Sequence, residues 1–131
     1  MQNLKSKMQG CNSKFKIDIK KRAFLHALEI IKFIDQVNKN DLSVQVMARQ
    51  LLRSGTGIGA NIIEAQSSSS KKEFTNFLNH SVKSANESKF WLALLRDSGK
   101  AKKESVNSLL SETKQLANIL ASSILTLKGK R

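Results

Sequence analysis

The chain has 131 residues and no proline, so it meets no obligatory helix break. Proline is the residue that both removes a backbone donor and clashes with the preceding helical turn. Glycine, the other helix-weakening residue, occurs six times, and Gly55, Gly57 and Gly59 form a cluster. Long helices are therefore permitted almost everywhere. Apolar residues make up 40% of the chain, aromatics only 5%, and tyrosine is absent. That is enough for a core but poor in the residues that favour strands. A chain of this length fits one domain and leaves no room for two independent cores.

Apolar residues recur at steps of three and four in four segments, and short polar stretches separate them. The first segment covers about residues 20–39, with a core stripe of Phe24, Ala27, Ile31 and Ile34. The turn-prone run Asn38-Lys39-Asn40-Asp41 follows and supplies a cap for the next helix. The second covers about residues 42–66, with Met47, Leu51, Ser54, Ile58, Asn61 and Ala65 inward. Ser70 precedes Glu73 by three residues, the form of a capping box, and starts the third helix. Its stripe is Phe74, Leu78, Ser81, Ala85, Ser88, Leu92 and Leu95, and it ends near Gly99. The fourth covers about residues 102–128, with Val106, Leu109, Thr113, Ala117, Leu120, Ile124 and Leu127 inward. Short loops favour antiparallel neighbours, so the expected fold is all-α, an up-down-up-down four-helix bundle. Residues 20–128 form the bundle, residues 1–19 a basic N-terminal arm and residues 129–131 a basic tail.

Two helices carry more apolar surface than one core needs. His26, Ile30, Phe33 and Val37 form a second stripe on the first, and Val82 and Phe90 lie off the heptad line of the third. A second apolar face on a helix calls for a partner helix, which predicts a homo-oligomer through Ile30, Phe33, Val37, Val82 and Phe90.

The net charge is +13, and it is concentrated at the ends. Residues 1–22 carry seven Lys/Arg against Asp18 alone, and Lys128, Lys130 and Arg131 close the chain. Such a field attracts polyanions. Lys14, Lys16, Lys20, Lys21, Arg22, Lys128, Lys130 and Arg131, with Arg49 and Arg53 one helical turn apart, are the expected phosphate contacts. No RNA-binding motif with stacking aromatics is visible, so those contacts should be weakly sequence-selective. The N-terminal residues lack the apolar run of a secretion signal, and eighteen apolar residues never occur together. No membrane association is expected. Cys11 is the single cysteine, which precludes an internal disulfide and fits a reducing cytoplasm.

The glycine cluster does not have the spacing of a phosphate-binding loop, and no strand precedes it. Its glycines instead suit close approach by another helix. Asn61, Glu64, His80, Ser84 and Glu87, beside Phe77 and Trp91, are expected to form a polar layer that fixes helix register. An acid–base pair of His80 with Glu64 or Glu87 lacks a nucleophile and an oxyanion donor set. No Glu-x-x-His pair or Cys/His ligand spacing occurs, so neither a metal nor another cofactor is expected. The chain is read as non-enzymatic.

The segments QLLRSGTGIGANIIEAQ (residues 50–66) and KEFTNFLNHSVKSANESKFWL (residues 72–92) resemble bacterial four-helix-bundle proteins encoded by intervening sequences in large-subunit ribosomal RNA genes. The elements that carry the resemblance are Arg53-Ser54 before the glycines, Ile58, Asn61, Glu64-Ala65, Phe74, Glu87 and Trp91-Leu92. The accessory variability protein of diversity-generating retroelements is similar to the same bundle. The resemblance implies a homopentamer with a basic surface. From the retroelement relatives it implies binding to RNA or DNA and to a reverse transcriptase. Gly57 departs from the family pattern, which commonly has serine there. Two function classes follow: a nucleic-acid-binding accessory protein, or a scaffold whose helical faces hold a protein partner.

Overall fold

A computed structural model describes residues 18–129. It contains four helices: α1 (Ile19–Gln36), α2 (Leu42–Gln66), α3 (Lys71–Asp97) and α4 (Lys103–Leu127). Each start and stop has a local cause. The Asp18 and Asp41 carboxylates accept from Lys21 N–H and Val44 N–H, and Ser70 Oγ accepts from Glu73 N–H at 3.0 Å. Glu73 completes the capping box one residue early, accepting from Ser69 N–H at 3.1 Å. At the end of α3, Gly99 has φ +74°, which only glycine adopts without strain. This places Gly99 N–H on the Arg96 carbonyl and Lys100 N–H on the Leu95 carbonyl, a Schellman closure that turns the chain into α4.

The helices pack as an antiparallel four-helix bundle in which α2 and α3 share the most extensive contact and α1 meets α4 least. The start of α1, the end of α4 and the α2–α3 connection therefore share one end, called here the terminal end. The α1–α2 and α3–α4 connections share the other, the distal end. The core is in two apolar halves. Ile19, Ile58, Ile62, Phe74, Leu78, Leu116 and Leu120 fill the terminal half, and Ile30, Phe33, Leu51, Leu92, Leu95 and Val106 the distal half.

Between the halves lies a buried polar layer with one residue from each helix: His26, Ser54, Ser88 and Thr113. The Ser54 and Ser88 hydroxyls lie 3.0 Å apart, and Ser88 also bonds the Ser84 carbonyl. His26 Nε2 meets Thr113 Oγ1 at 2.8 Å. The Thr113 hydroxyl proton is committed to the Leu109 carbonyl at 2.7 Å, so His26 must donate through Nε2. Every member is satisfied, and such a layer penalises a helix that slips by one turn.

The stripes expected on α3 and α4 are buried in full. That on α2 is buried except for Asn61, which is half-buried with its amide on the Gly57 carbonyl of its own helix. On α1 the expectation is reversed. Ile30 is fully buried and Phe33 is 6% exposed, whereas Phe24 is 64% exposed and Ile31 also faces outward. The cause lies in the glycines of α2. A Cβ at Gly55 would stand 3.1 Å from the Ile30 side chain, and one at Gly59 would stand 3.4 Å from Ala23 Cβ. The smallest side of α2 thus receives Ala23 and Ile30, and the His26–Thr113 bond holds the same face of α1 toward α4. Ile30 and Phe33 are core residues and are not available to a neighbouring copy. Val37 and Val82 are half-buried against the core, and only Phe90 of the expected interface is well exposed.

Candidate nucleic-acid interface

The ten residues expected to contact phosphates have different surroundings. Lys20 and Lys21 are exposed on the first turn of α1 and Lys128 just beyond α4. Arg22 is not available. Its guanidinium grips the Glu112 carboxylate with both Nε (3.1 Å) and Nη2 (2.7 Å), bonds Gln115 as well, and leaves the side chain 12% exposed. This bidentate fork staples α1 to α4. Arg49 is exposed on α2. Arg53 is ion-paired with Glu87 across the α2–α3 seam yet remains 62% exposed, and Gln50 Oε1 accepts from it at 3.1 Å. Lys14, Lys16, Lys130 and Arg131 lie outside the described residues.

Lys71 and Lys72 open α3 at the α2–α3 connection and are exposed. Singling out the tails and the Arg pair passed them over. The topology brings them to the same end as Lys20, Lys21 and Lys128. Among the described residues, the acids of that end are Asp18 and Glu73, which cap α1 and serve the α3 cap, and the exposed Glu64. None is ion-paired with these lysines. The distal end differs in part: Lys100 Nζ reaches Asp41 at 2.6 Å, Arg96 pairs with Asp97 at 2.8 Å, and Lys39 Nζ is spent on the Ile34, Asp35 and Val37 carbonyls. Lys102 and Lys103 are exposed there without a salt bridge among the described residues, Lys103 within electrostatic reach of Asp97. The Lys100 ammonium, with the Ser43 hydroxyl and Val44 N–H, holds the Asp41 carboxyl well below the usual carboxylate range.

The polar group on α2 and α3 is not the interior layer expected. Glu64 and His80 are exposed, and Asn61, Ser84 and Glu87 are half-buried along the outer α2–α3 seam. Glu87 accepts from Trp91 Nε1 at 3.1 Å as well as from Arg53. A Cβ at Gly57 would come 3.0 Å from Ser84 Oγ, so the missing side chain lets the helices close at this level. The interior layer is built instead from His26, Ser54, Ser88 and Thr113, and it was legible only partly, because only pairing across helices distinguishes a buried His from an exposed one. No group of three metal-ligating side chains occurs among the described residues, and none of their helices is long and apolar enough to cross a membrane.

On the outward side of α1, Phe24 and Ala27 adjoin Thr56, Gly59, Ala60 and Ile63 of α2, and Leu28 and Ile31 of α1 and Leu52 of α2 are exposed as well. Between the helices runs an apolar groove of about 480 Å³ whose rim carries Lys20 and Lys21. The expected interface residues Ile30, Phe33, Val37, Val82 and Phe90 are not part of this groove, which lies on the opposite side of α1 from the expected stripe.

The sequence model of the 23S rRNA-intervening sequence protein family matches residues 16–122. A crystal structure of a protein of unknown function from the S23 ribosomal protein family of Bacteroides thetaiotaomicron superimposes with a TM-score of 0.75 at 35% identity. The match covers 81% of this chain and 97% of that one. No curated protein matches significantly. With the same four helices and a match over most of its length, the chain belongs to the 23S rRNA-intervening sequence protein family.

Proposed function

We propose that this protein is a non-enzymatic accessory factor that binds nucleic acid through phosphates at the terminal end of its bundle and works as a homo-oligomer. The observation that carries the proposal is that Lys20, Lys21, Lys71, Lys72 and Lys128 converge on one end without ion-pair partners among the described residues. Both terminal segments, with Lys14, Lys16, Lys130 and Arg131, leave from that end. An unpaired ammonium exchanges condensed counterions for contact, whereas one already matched to a carboxylate gains little. The contacts are to backbone, so binding follows phosphate density more than sequence. Arg49, exposed in the distal half of α2, lies apart from this end, and Arg53 joins only if Glu87 releases it.

The self-association rests on the α1/α2 face. Phe24 and Ile63 line one apolar groove and, with Leu28 and Ile31 on the same outward side of α1, are left in water by the fold, and such patches mark protein contacts. The pentamer implied by the family likeness is the state to expect. A second reading, a protein adaptor, is favoured by that same face, with a reverse transcriptase as the partner implied by the retroelement likeness.

Filter binding of labelled RNA against salt tests the proposal. Retention at low salt that falls with a log-log slope of about −0.7 per single-strand contact supports it. No retention at low salt rejects it. If Phe24→Ala and Ile31→Ala abolish partner capture while lysine substitutions have no effect, the adaptor reading prevails.

A further inference from the structure

The line of α3 that points straight away from the core has a composition unlike a merely solvated face. Counting from Lys72 in steps of three and four, it presents Lys72, Asn76, Asn79, Lys83, Asn86 and Phe90. All are exposed except Asn79, which is half-buried. Solvated helix faces usually interleave both signs of charge in pairs one turn apart. From Lys72 to Phe90 this line carries lysines, amides and no carboxylate; its next steps are Ala93 and Asp97, whose carboxylate is paired with Arg96. Among the described residues the three asparagine amides have no protein partner. The line also includes a phenylalanine 57% exposed, whose ring stands edge to face with Trp91 at 4.9 Å between centroids.

We propose that this outward face of α3 is a track for single-stranded nucleic acid, with a base stacked on Phe90, asparagine amides at base edges and Lys72 and Lys83 against phosphates. The inference rests on the proposed function and extends it, since Lys72 also belongs to the terminal end. From Lys72 to Phe90 the helix rises about 27 Å, room for several nucleotides. Lysines alone would bind a duplex as well. An exposed aromatic adds affinity only for bases free of a partner strand, because every unstacked base offers a π-face. Amides that donate and accept suit base edges without demanding one base.

Trp91 is the only tryptophan, and tyrosine is absent, so its emission reports on the Phe90 ring directly. The experiment titrates the full chain with a single-stranded uridine 12-mer and with an RNA duplex of equal length, reading both anisotropy of labelled RNA and Trp91 emission. The expected result is tighter binding of the single strand with a change in Trp91 emission. Phe90→Leu should weaken single-strand binding about tenfold, within a range of roughly 5- to 100-fold. Lys83→Gln should lower the salt slope by about 0.7, and Lys114→Gln on α4 should change neither. Circular dichroism confirms that these surface variants fold.

Unchanged affinity in both Phe90→Leu and Lys83→Gln, or equal binding of the duplex, overturns the track. If Lys20→Gln and Lys21→Gln still weaken binding in that case, the proposed function stands without it. Absence of any binding by the unaltered protein at low salt overturns both.

Discussion

At the distal end of the bundle, Lys100 is held by Asp41, Arg96 by Asp97 and Lys39 by three carbonyls at the end of α1. At the terminal end, Lys20, Lys21, Lys71, Lys72 and Lys128 stand exposed without such partners among the described residues. The same residue types thus do different work. Lys100, Arg96 and Lys39 neutralise caps and tie one connection to the other, leaving Lys102 and Lys103 as the unpaired distal lysines, whereas all five terminal lysines stand unpaired among the described residues. Four antiparallel helices produce this separation, because they return the start of α1, the end of α4 and the middle connection to one place. Net charge alone does not distinguish the two ends; the pairing of individual cations does.

The largest effect is expected from exchanging charge at one end only. Replacing Lys20, Lys21, Lys71 and Lys72 by glutamine should reduce RNA affinity about a hundredfold at low salt and flatten the salt slope by roughly 3. Replacing Lys100, Lys102 and Lys103 should change affinity by less than about threefold. Equal losses from the two sets would erase the contrast between the ends.

Arg22 sharpens the comparison from within the terminal half. It lies next to Lys21 in sequence yet is bound to Glu112. Arg22→Gln should cost about 1–2 kcal/mol of stability, between the values for exposed and buried ion pairs, read by urea denaturation. RNA affinity should stay within a factor of two. A large affinity loss in a folded Arg22→Gln protein would make it a phosphate contact after all.

The seating of α1 is tested by the two glycines beneath it. Gly55→Ala drives a methyl to 3.1 Å from Ile30 and should destabilise by about 1 kcal/mol, overpacking outweighing the helix-propensity gain. Gly59→Ala meets Ala23 at ordinary contact distance and should be neutral or stabilising by up to about 1 kcal/mol. Thermal unfolding of the two variants separates these outcomes.

The smallest effects are in pH. Burial pushes the His26 imidazole below its usual range. The unfolded chain then binds the proton that the folded one refuses, so stability is full above about pH 6.5 and declines as pH falls from there toward the folded value. Asp41 has the same sign in a lower window: its stabilisation is present above about pH 4 and is lost as pH falls further. His26→Leu should remove the first slope and Asp41→Asn the second, measured by denaturation across pH 2–8.

The core stripes of α3 and α4 were legible because in each one line of seven residues keeps the helical steps throughout, and both are buried as expected. Asp41, Ser70 and Gly99 were legible as punctuation because capping is local chemistry. Helix α1 was not, since it carries apolar residues on both sides, and periodicity cannot choose between Phe24-Ile31 and Ile30-Phe33. Only the partner decides, through Gly55, Gly59 and Thr113. The same limit applied to the site. Tail lysines are visible in sequence, but Lys71 and Lys72 join them only through topology, and the loss of Arg22 to Glu112 depends on contact between residues 90 positions apart.

The most direct measurement of the central claim is acetylation footprinting of lysines with and without bound RNA, read by mass spectrometry. The account predicts protection of Lys20, Lys21, Lys71, Lys72 and Lys128, with Lys102, Lys103 and Lys114 modified at unchanged rates. Protection confined to the distal lysines, or spread evenly over both ends, would contradict it.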